Sequence, residues 1–82
     1  MQAERLVTMA NEIAAFFHSA SEDGQAAQSV ALHLRRFWDP RMRQQIITHL
    51  KSGGGEGLTP ISRAAIELLA AEAEIKAKSS AR

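Results

Sequence analysis

The chain has 82 residues, ten basic and nine acidic side chains, and no cysteine, so its formal net charge is +1. This length predicts one domain that buries only about 60–65% of its unfolded surface and is marginally stable alone. The lack of cysteine excludes disulfides and thiolate metal sites. The nearly balanced charge disfavours a general nucleic-acid binder, whose affinity needs an excess of cations.

No apolar run approaches the roughly 18–20 residues of a membrane span. The first twenty residues carry Glu4, Arg5 and Glu12, and so they do not resemble a signal peptide. Together with the absence of cysteine, which fits a reducing compartment, these features predict a cytoplasmic protein without membrane contact.

The first predicted helix covers about residues 2–18, where apolar side chains recur every three or four positions. Its predicted inner face comprises Leu6, Met9, Ile13 and either Phe16 or Phe17. Residues 19–24 are rich in turn formers and end in glycine, which predicts a loop.

The second predicted helix covers about residues 25–37 and should end near Trp38, because Pro40 disfavours the helical conformation of Asp39. Asp39 is suited to cap a third helix in which Pro40 is the first residue, where the missing N–H costs nothing. The two helices should therefore meet at a corner with almost no loop. The predicted apolar stripe of the second helix comprises Ala27, Val30, Leu34 and Phe37.

The third predicted helix runs from Pro40 to about Lys51, and a run of glycines ends it. The fourth begins at Pro60, after Thr59, and runs to about Lys76. Because no alternating β-type run is present, the predicted fold is all-α: one small bundle of about four short helices over residues 1–77, with a frayed tail at 78–82. The inward residues of these two helices should be Met42, Ile46, Ile47 and Leu50, then Ile61, Ala65, Ile66, Leu69 and Ala73.

The corner between the second and third helices is the most distinctive segment, with four of the seven arginines and two of the four aromatic residues. Phe37 is in phase with Val30 and Leu34, which predicts a core position, whereas Trp38 is predicted at the edge of the core or outside it. Two interpretations are open: Trp38 plugs the corner, or Trp38 and the arginines form a docking patch, since these residue types dominate many interfaces. The candidate partner interface comprises Arg35, Arg36, Trp38, Asp39, Pro40, Arg41, Met42 and Arg43.

The sequence predicts no catalytic, cofactor-binding or metal-binding residue in this chain. The three histidines lie 15 and 16 positions apart, unlike the ligands of a helical metal site. The glycine run lacks the Lys-Ser or Lys-Thr of a phosphate loop. A DNA-reading helix at 40–51 would expose Arg41, Arg43, Gln44, Gln45 and Lys51, which can bond base edges, but a proline corner replaces the usual turn.

Three blocks of sequence resemble the delta subunit of the soluble, NAD-dependent, molybdenum-containing formate dehydrogenases. The first is Met9–Phe17, and the second is His33–Arg43, in which the string Phe-Trp-Asp-Pro-Arg-Met at 37–42 is the most specific part. The third begins at His49 and continues through the glycine run to Pro60. The family motif falls on the corner segment, and the resemblance implies that this segment serves the subunit's role, whether its residues are interface or core.

This resemblance implies a non-catalytic accessory subunit that binds no cofactor itself. In the implied complex, the alpha subunit holds molybdenum bis-pterin guanine dinucleotide and iron–sulfur clusters, a beta subunit uses FMN to reduce NAD, and a gamma subunit holds iron–sulfur. The implied partner is the alpha subunit, with no nucleic acid or membrane, and the implied role is assembly, cofactor insertion or stability. The alternative is a stand-alone helical regulator that binds DNA or self-associates. A docking Trp38 should be exposed in the isolated chain.

Overall fold

The computed structural model describes residues 2–20 and 25–80 of the chain, with side chains at 2–19 and 25–76. It contains four helices and, within those ranges, no strand, so the predicted all-α bundle is confirmed. The helices are α1 (Ala3–Ala20), α2 (Ala26–Phe37), α3 (Pro40–Gly53) and α4 (Pro60–Ser80).

Each helix begins within one residue of its predicted start, whereas three of the four ends lie further along the chain. The first two residues of the predicted 19–24 loop are helical, and residues 21–24 lie outside the described ranges. The backbone of α4 stays helical to Ser80, beyond the predicted end near Lys76. Residues 81–82 of the predicted tail lie outside the described ranges, so its fraying stays a prediction.

The core lies where α2 packs between α1 and α4, with α3 packed on α4 and α1. Helices α2 and α3 scarcely contact each other. The predicted inward positions of α3 and most of those of α4 are confirmed as buried or half-buried, but Ala73 is exposed and Ala70 is buried in its place. The largest fully buried side chains are Leu6, Val30, Leu34, Ile46, Ile66 and Ser62.

The predicted inner face of α1 is confirmed, since Leu6 is buried and Met9, Ile13 and Phe17 are half-buried against the core, whereas Phe16 is exposed. The most deeply buried part of this face also includes shorter side chains that were not predicted. Short side chains allow close approach between helices, and a pattern based on large residues undercounts them. For the same reason Ala26 and Ala31 of α2 are buried without having been predicted. The residues of α1 that fill the core are Leu6, Val7, Ala10 and Ala14.

The corner between α2 and α3 forms as predicted. The Asp39 carboxylate accepts a hydrogen bond from the Met42 backbone N–H at 2.9 Å, and Pro40 is the first residue of α3. Trp38 has an extended backbone, with φ −89° and ψ 139°, and its N–H donates to the Leu34 carbonyl. One extended residue and one cap therefore connect the two helices.

The predicted exposures of Phe37 and Trp38 are wrong, and the two residues exchange roles. Trp38 is only 6% exposed and packs in the core, whereas Phe37 is 72% exposed. The helical period applies only to helical residues, and Trp38 has left the helix, so its side chain turns inward. Phe37 is one turn beyond the fully buried Leu34. It is the last residue of α2.

A glycine loop, defined as residues 54–59, joins α3 to α4. Gly54 caps α3 in the left-handed conformation, with φ 71°, and its N–H donates to the His49 carbonyl, which confirms the predicted glycine cap. Thr59 precedes α4 and accepts a long hydrogen bond, 3.4 Å, from the Ser62 N–H through its hydroxyl. Within the described ranges, no helix combines the length and hydropathy needed to cross a membrane.

Candidate functional site

The corner segment is accessible apart from its tryptophan. Its other members are exposed or half-buried, whereas Trp38 lies beneath them in the core. This arrangement matches the interpretation in which Trp38 plugs the corner, and Trp38 does not meet the expectation of an exposed docking residue. Whether the remaining residues bind a partner stays a prediction. The exposed members are Arg35, Arg36, Asp39, Pro40 and Arg41, and the half-buried ones are Met42 and Arg43.

The corner arginines differ in whether they have a partner. Arg35 binds Glu72 of α4 through two parallel hydrogen bonds, with Nε–Oε1 at 2.9 Å and Nη2–Oε2 at 2.6 Å. Arg36 and Arg41 form no hydrogen bond or ion pair with the described residues. The Nε of Arg43 is buried and has no partner there either. Arg36 and Arg41 therefore present unneutralised charge to solvent.

A row of rings with exposed ends and a half-buried middle lies beside the corner, on α1 and α2, and is called here the aromatic patch: Phe16, Phe17, His33 and Phe37. The Phe16 and Phe17 rings meet edge to face, with centroids 5.2 Å apart. The Phe17 and His33 rings are 6.1 Å apart, and those of His33 and Phe37 are 4.7 Å apart. Phe16 is 66% exposed, so both ends of the row face solvent.

Sequence reasoning missed the aromatic patch. A signal was present, because adjacent residues of a helix point about 100° apart and so Phe16 and Phe17 cannot both face the core. His33 follows from the same helical geometry, since it precedes Phe37 by one turn of α2. The position of Phe37 depended on where α2 ends relative to its neighbours, which the helical period does not encode.

A shallow cleft of about 250 Å³ indents the aromatic patch and is lined by Glu12, Ile13, Phe16, Phe17 and His33. Small-molecule sites usually enclose about 300–1,000 Å³ and are mostly apolar with a few convergent polar groups. The cleft falls below that range.

The glycine loop is fastened from three sides. His49 of α3 donates from Nε2 to the Glu56 carbonyl at 2.9 Å, and Arg63 of α4 donates to the Gly54 carbonyl at 2.6 Å. From α1, Asn11 donates to the Gly57 carbonyl at 2.9 Å. These side chains bind carbonyl groups of the loop, so they set its shape and do not create a phosphate-binding ring of N–H groups.

Asn11 also connects the loop to the start of α4. Its Oδ1 accepts from the Thr59 N–H at 3.1 Å and from the buried Ser62 hydroxyl at 2.6 Å. The apolar spacing of α1 gives no indication of this role for Asn11. An asparagine supplies both donor and acceptor, which is what two elements with unpaired N–H and C=O groups require.

A larger apolar cavity, about 630 Å³, lies between α1, α2 and the start of α4. Its lining includes Asn11, His18 and Thr59, and otherwise consists of alanines, Pro60 and Ile61. Among the described residues, no three His, Asp or Glu side chains are grouped so that they could hold a metal ion.

These observations define a small all-α protein with a fastened loop at one site and an uncovered aromatic surface at another. The chain belongs to the family of NADH-dependent formate dehydrogenase delta subunits (FdsD), whose family model matches residues 5–66. The matched region includes all three sequence blocks and extends into α4, and it confirms the resemblance. No curated protein and no solved structure gives a significant match to the chain.

Proposed function

We propose that this chain is a non-catalytic accessory subunit of a cytoplasmic, molybdenum-containing, NAD-dependent formate dehydrogenase, and that it docks on the catalytic alpha subunit. The family match over residues 5–66 is the observation that supports this proposal most directly. The molybdenum bis-pterin guanine dinucleotide, iron–sulfur clusters and FMN of such an enzyme are assigned to the other subunits.

The proposed action is thermodynamic linkage. A protein that binds the folded, cofactor-loaded form of a partner, and not its open form, shifts the population toward the loaded form. When the free concentration of the binding protein is 100 times its dissociation constant, the loaded form is stabilised by about 2.7 kcal/mol. The delta subunit would thus support assembly, cofactor insertion or stability without touching the reacting atoms.

The corner contributes to docking in two ways. Arg36 and Arg41 supply cations that have no partner among the described residues, and such cations can bind carboxylates of the alpha subunit. Trp38 acts from within, because its buried ring holds the angle between α2 and α3 and thereby the positions of the arginines. Trp38 is therefore a positioning residue in this proposal.

The test is affinity purification of the chain from its native cells with a tag at the C-terminus, since the family match ends at residue 66. We expect the alpha, beta and gamma subunits to co-purify, with molybdenum, iron, flavin and formate-dependent reduction of NAD. In cells that lack this chain, the purified alpha subunit should contain less molybdenum. Unchanged molybdenum content and activity, with no formate dehydrogenase subunit recovered, would contradict the proposal. Recovery of DNA or of the chain alone would favour the stand-alone regulator.

A further inference from the structure

We infer that the aromatic patch is the surface that binds the catalytic alpha subunit. This inference depends on the proposed function and specifies which face of the chain docks. The occupant is an apolar surface of the alpha subunit that inserts a large side chain into the cleft beside Phe16 and places a carboxylate opposite Arg36.

Two apolar rings of the aromatic patch are exposed to solvent. Phe16 and Phe37 keep 66% and 72% of their surface in water, although burial of a phenylalanine stabilises a protein by about 1.5–3 kcal/mol. Single exposed apolar residues are ordinary, but these two rings belong to one continuous row through Phe17 and His33. The largest apolar patch on a monomer, typically about 300–600 Å², is often a functional surface.

The exposed area of the two rings favours a larger partner over a second copy. A phenylalanine side chain buries about 150–250 Å², so the two exposed rings offer roughly 200–350 Å². Two copies that met only through these rings would bury roughly twice that, whereas stable interfaces bury about 1,200–2,000 Å² in total. A larger subunit can cover the rings together with the helices around them.

A positively charged side chain, that of Arg36, borders the aromatic patch. Arg36 follows His33 by three residues on α2, so the two side chains lie on the same side of the helix and Arg36 borders the aromatic patch. The neighbouring Arg35 is bound by Glu72, whereas Arg36 has no carboxylate among the described residues. Arginine beside an aromatic anchor is a common composition of interface hot spots.

The experiment uses the complete complex, co-expressed with a tagged alpha subunit, and measures how much of this chain the alpha subunit retains and with what dissociation constant. The test variant is Phe16→Gln with Phe37→Gln, since glutamine maintains helix propensity while it removes the rings. The matched control is Ile75→Gln on α4, because Ile75 is 66% exposed, as Phe16 is. Circular dichroism checks that both variants fold.

We expect the double variant to bind at least about 30-fold more weakly, as truncation of hot-spot residues does, and the Ile75→Gln control to bind within about twofold of the unaltered chain. Arg36→Glu should weaken binding about tenfold, because it places two carboxylates together. If the double variant is retained as well as the unaltered chain, the patch is not the docking face and the proposed function still stands. If the unaltered chain itself is not retained, the proposed function fails.

Analytical ultracentrifugation of the free chain tests whether a second copy of the chain occupies the patch. We expect a monomer. A dimer that the double variant dissociates would make the patch a contact between two copies and would overturn the inference.

Discussion

The glycine loop and the aromatic patch use their side chains in opposite ways. In the loop, side chains from three helices turn inward to bind backbone carbonyls, through His49, Arg63 and Asn11. In the patch, Phe16 and Phe37 are exposed to solvent, and each packs against a neighbouring ring. Both regions lie within the sequence that the family model matches.

This difference shows that residues of one family motif can either stabilise the fold or form an exposed surface. Asn11 and Phe16 belong to the same block and the same helix, but Asn11 stabilises the chain and Phe16 faces solvent. The corner block shows the same division between adjacent residues, since Trp38 is buried and Phe37 is exposed. Residues of the first kind should affect the free energy of unfolding, and residues of the second kind should affect binding.

The largest expected effect tests that division at the corner. Trp38→Ala should lower the free energy of unfolding by about 3–5 kcal/mol, because it leaves a cavity in the core. Phe37→Gln should change it by no more than about 0.5 kcal/mol, as surface substitutions do. Urea denaturation followed by circular dichroism measures both. Equal losses for the two variants would mean that Phe37 contributes to the core.

The next effect sharpens the account of the loop. Gly55→Ala should destabilise the chain by about 2–3 kcal/mol, because φ is 71° and the added Cβ would lie 2.8 Å from the Leu50 Cδ1 and 3.2 Å from the Arg63 guanidinium, so that both flexible side chains must shift. Gly54→Ala is the matched control, since Gly54 has the same φ but open space around it, and it should cost only about 1–2 kcal/mol. The difference between the urea midpoints of these two variants reflects the crowding around the Cβ added at position 55. Equal midpoints would show that the loop yields to the added atom.

The smallest effect concerns the connection between α1 and the loop. Asn11→Ala removes the partners of the Gly57 carbonyl and the Thr59 N–H and should lower the free energy of unfolding by about 1–3 kcal/mol. Glu12→Ala, at the next and exposed position, should stay within about 0.5 kcal/mol of the unaltered chain. Thermal or urea unfolding decides this. Similar values for the two variants would remove Asn11 from the stabilising group.

The helices and the corner could be predicted because local chemistry specifies them. Pro40 with Asp39, and Gly54 after α3, act through conformations that hardly depend on the rest of the fold. The four-helix architecture followed from the spacing of apolar residues, and the core centre at Val30, Leu34 and Ile46 followed with it.

The remaining features depend on which helices are neighbours. The exchange of Phe37 and Trp38 depends on the end of α2, where the chain leaves the helix after Phe37 and the extended Trp38 packs in the core. The loop contacts of Asn11 join residues 46 and 48 positions apart, and a local pattern does not reveal such pairs. The aromatic patch likewise requires the relative placement of α1 and α2.

The buried corner has a spectroscopic consequence. Trp38 is the only tryptophan, and the chain has no tyrosine, so its indole alone reports in the near ultraviolet against a weak phenylalanine background. Its fluorescence emission reports on the corner, because the indole is shielded from water in the folded chain and exposed to water in the unfolded one. The same emission can therefore follow unfolding of the corner without any attached dye.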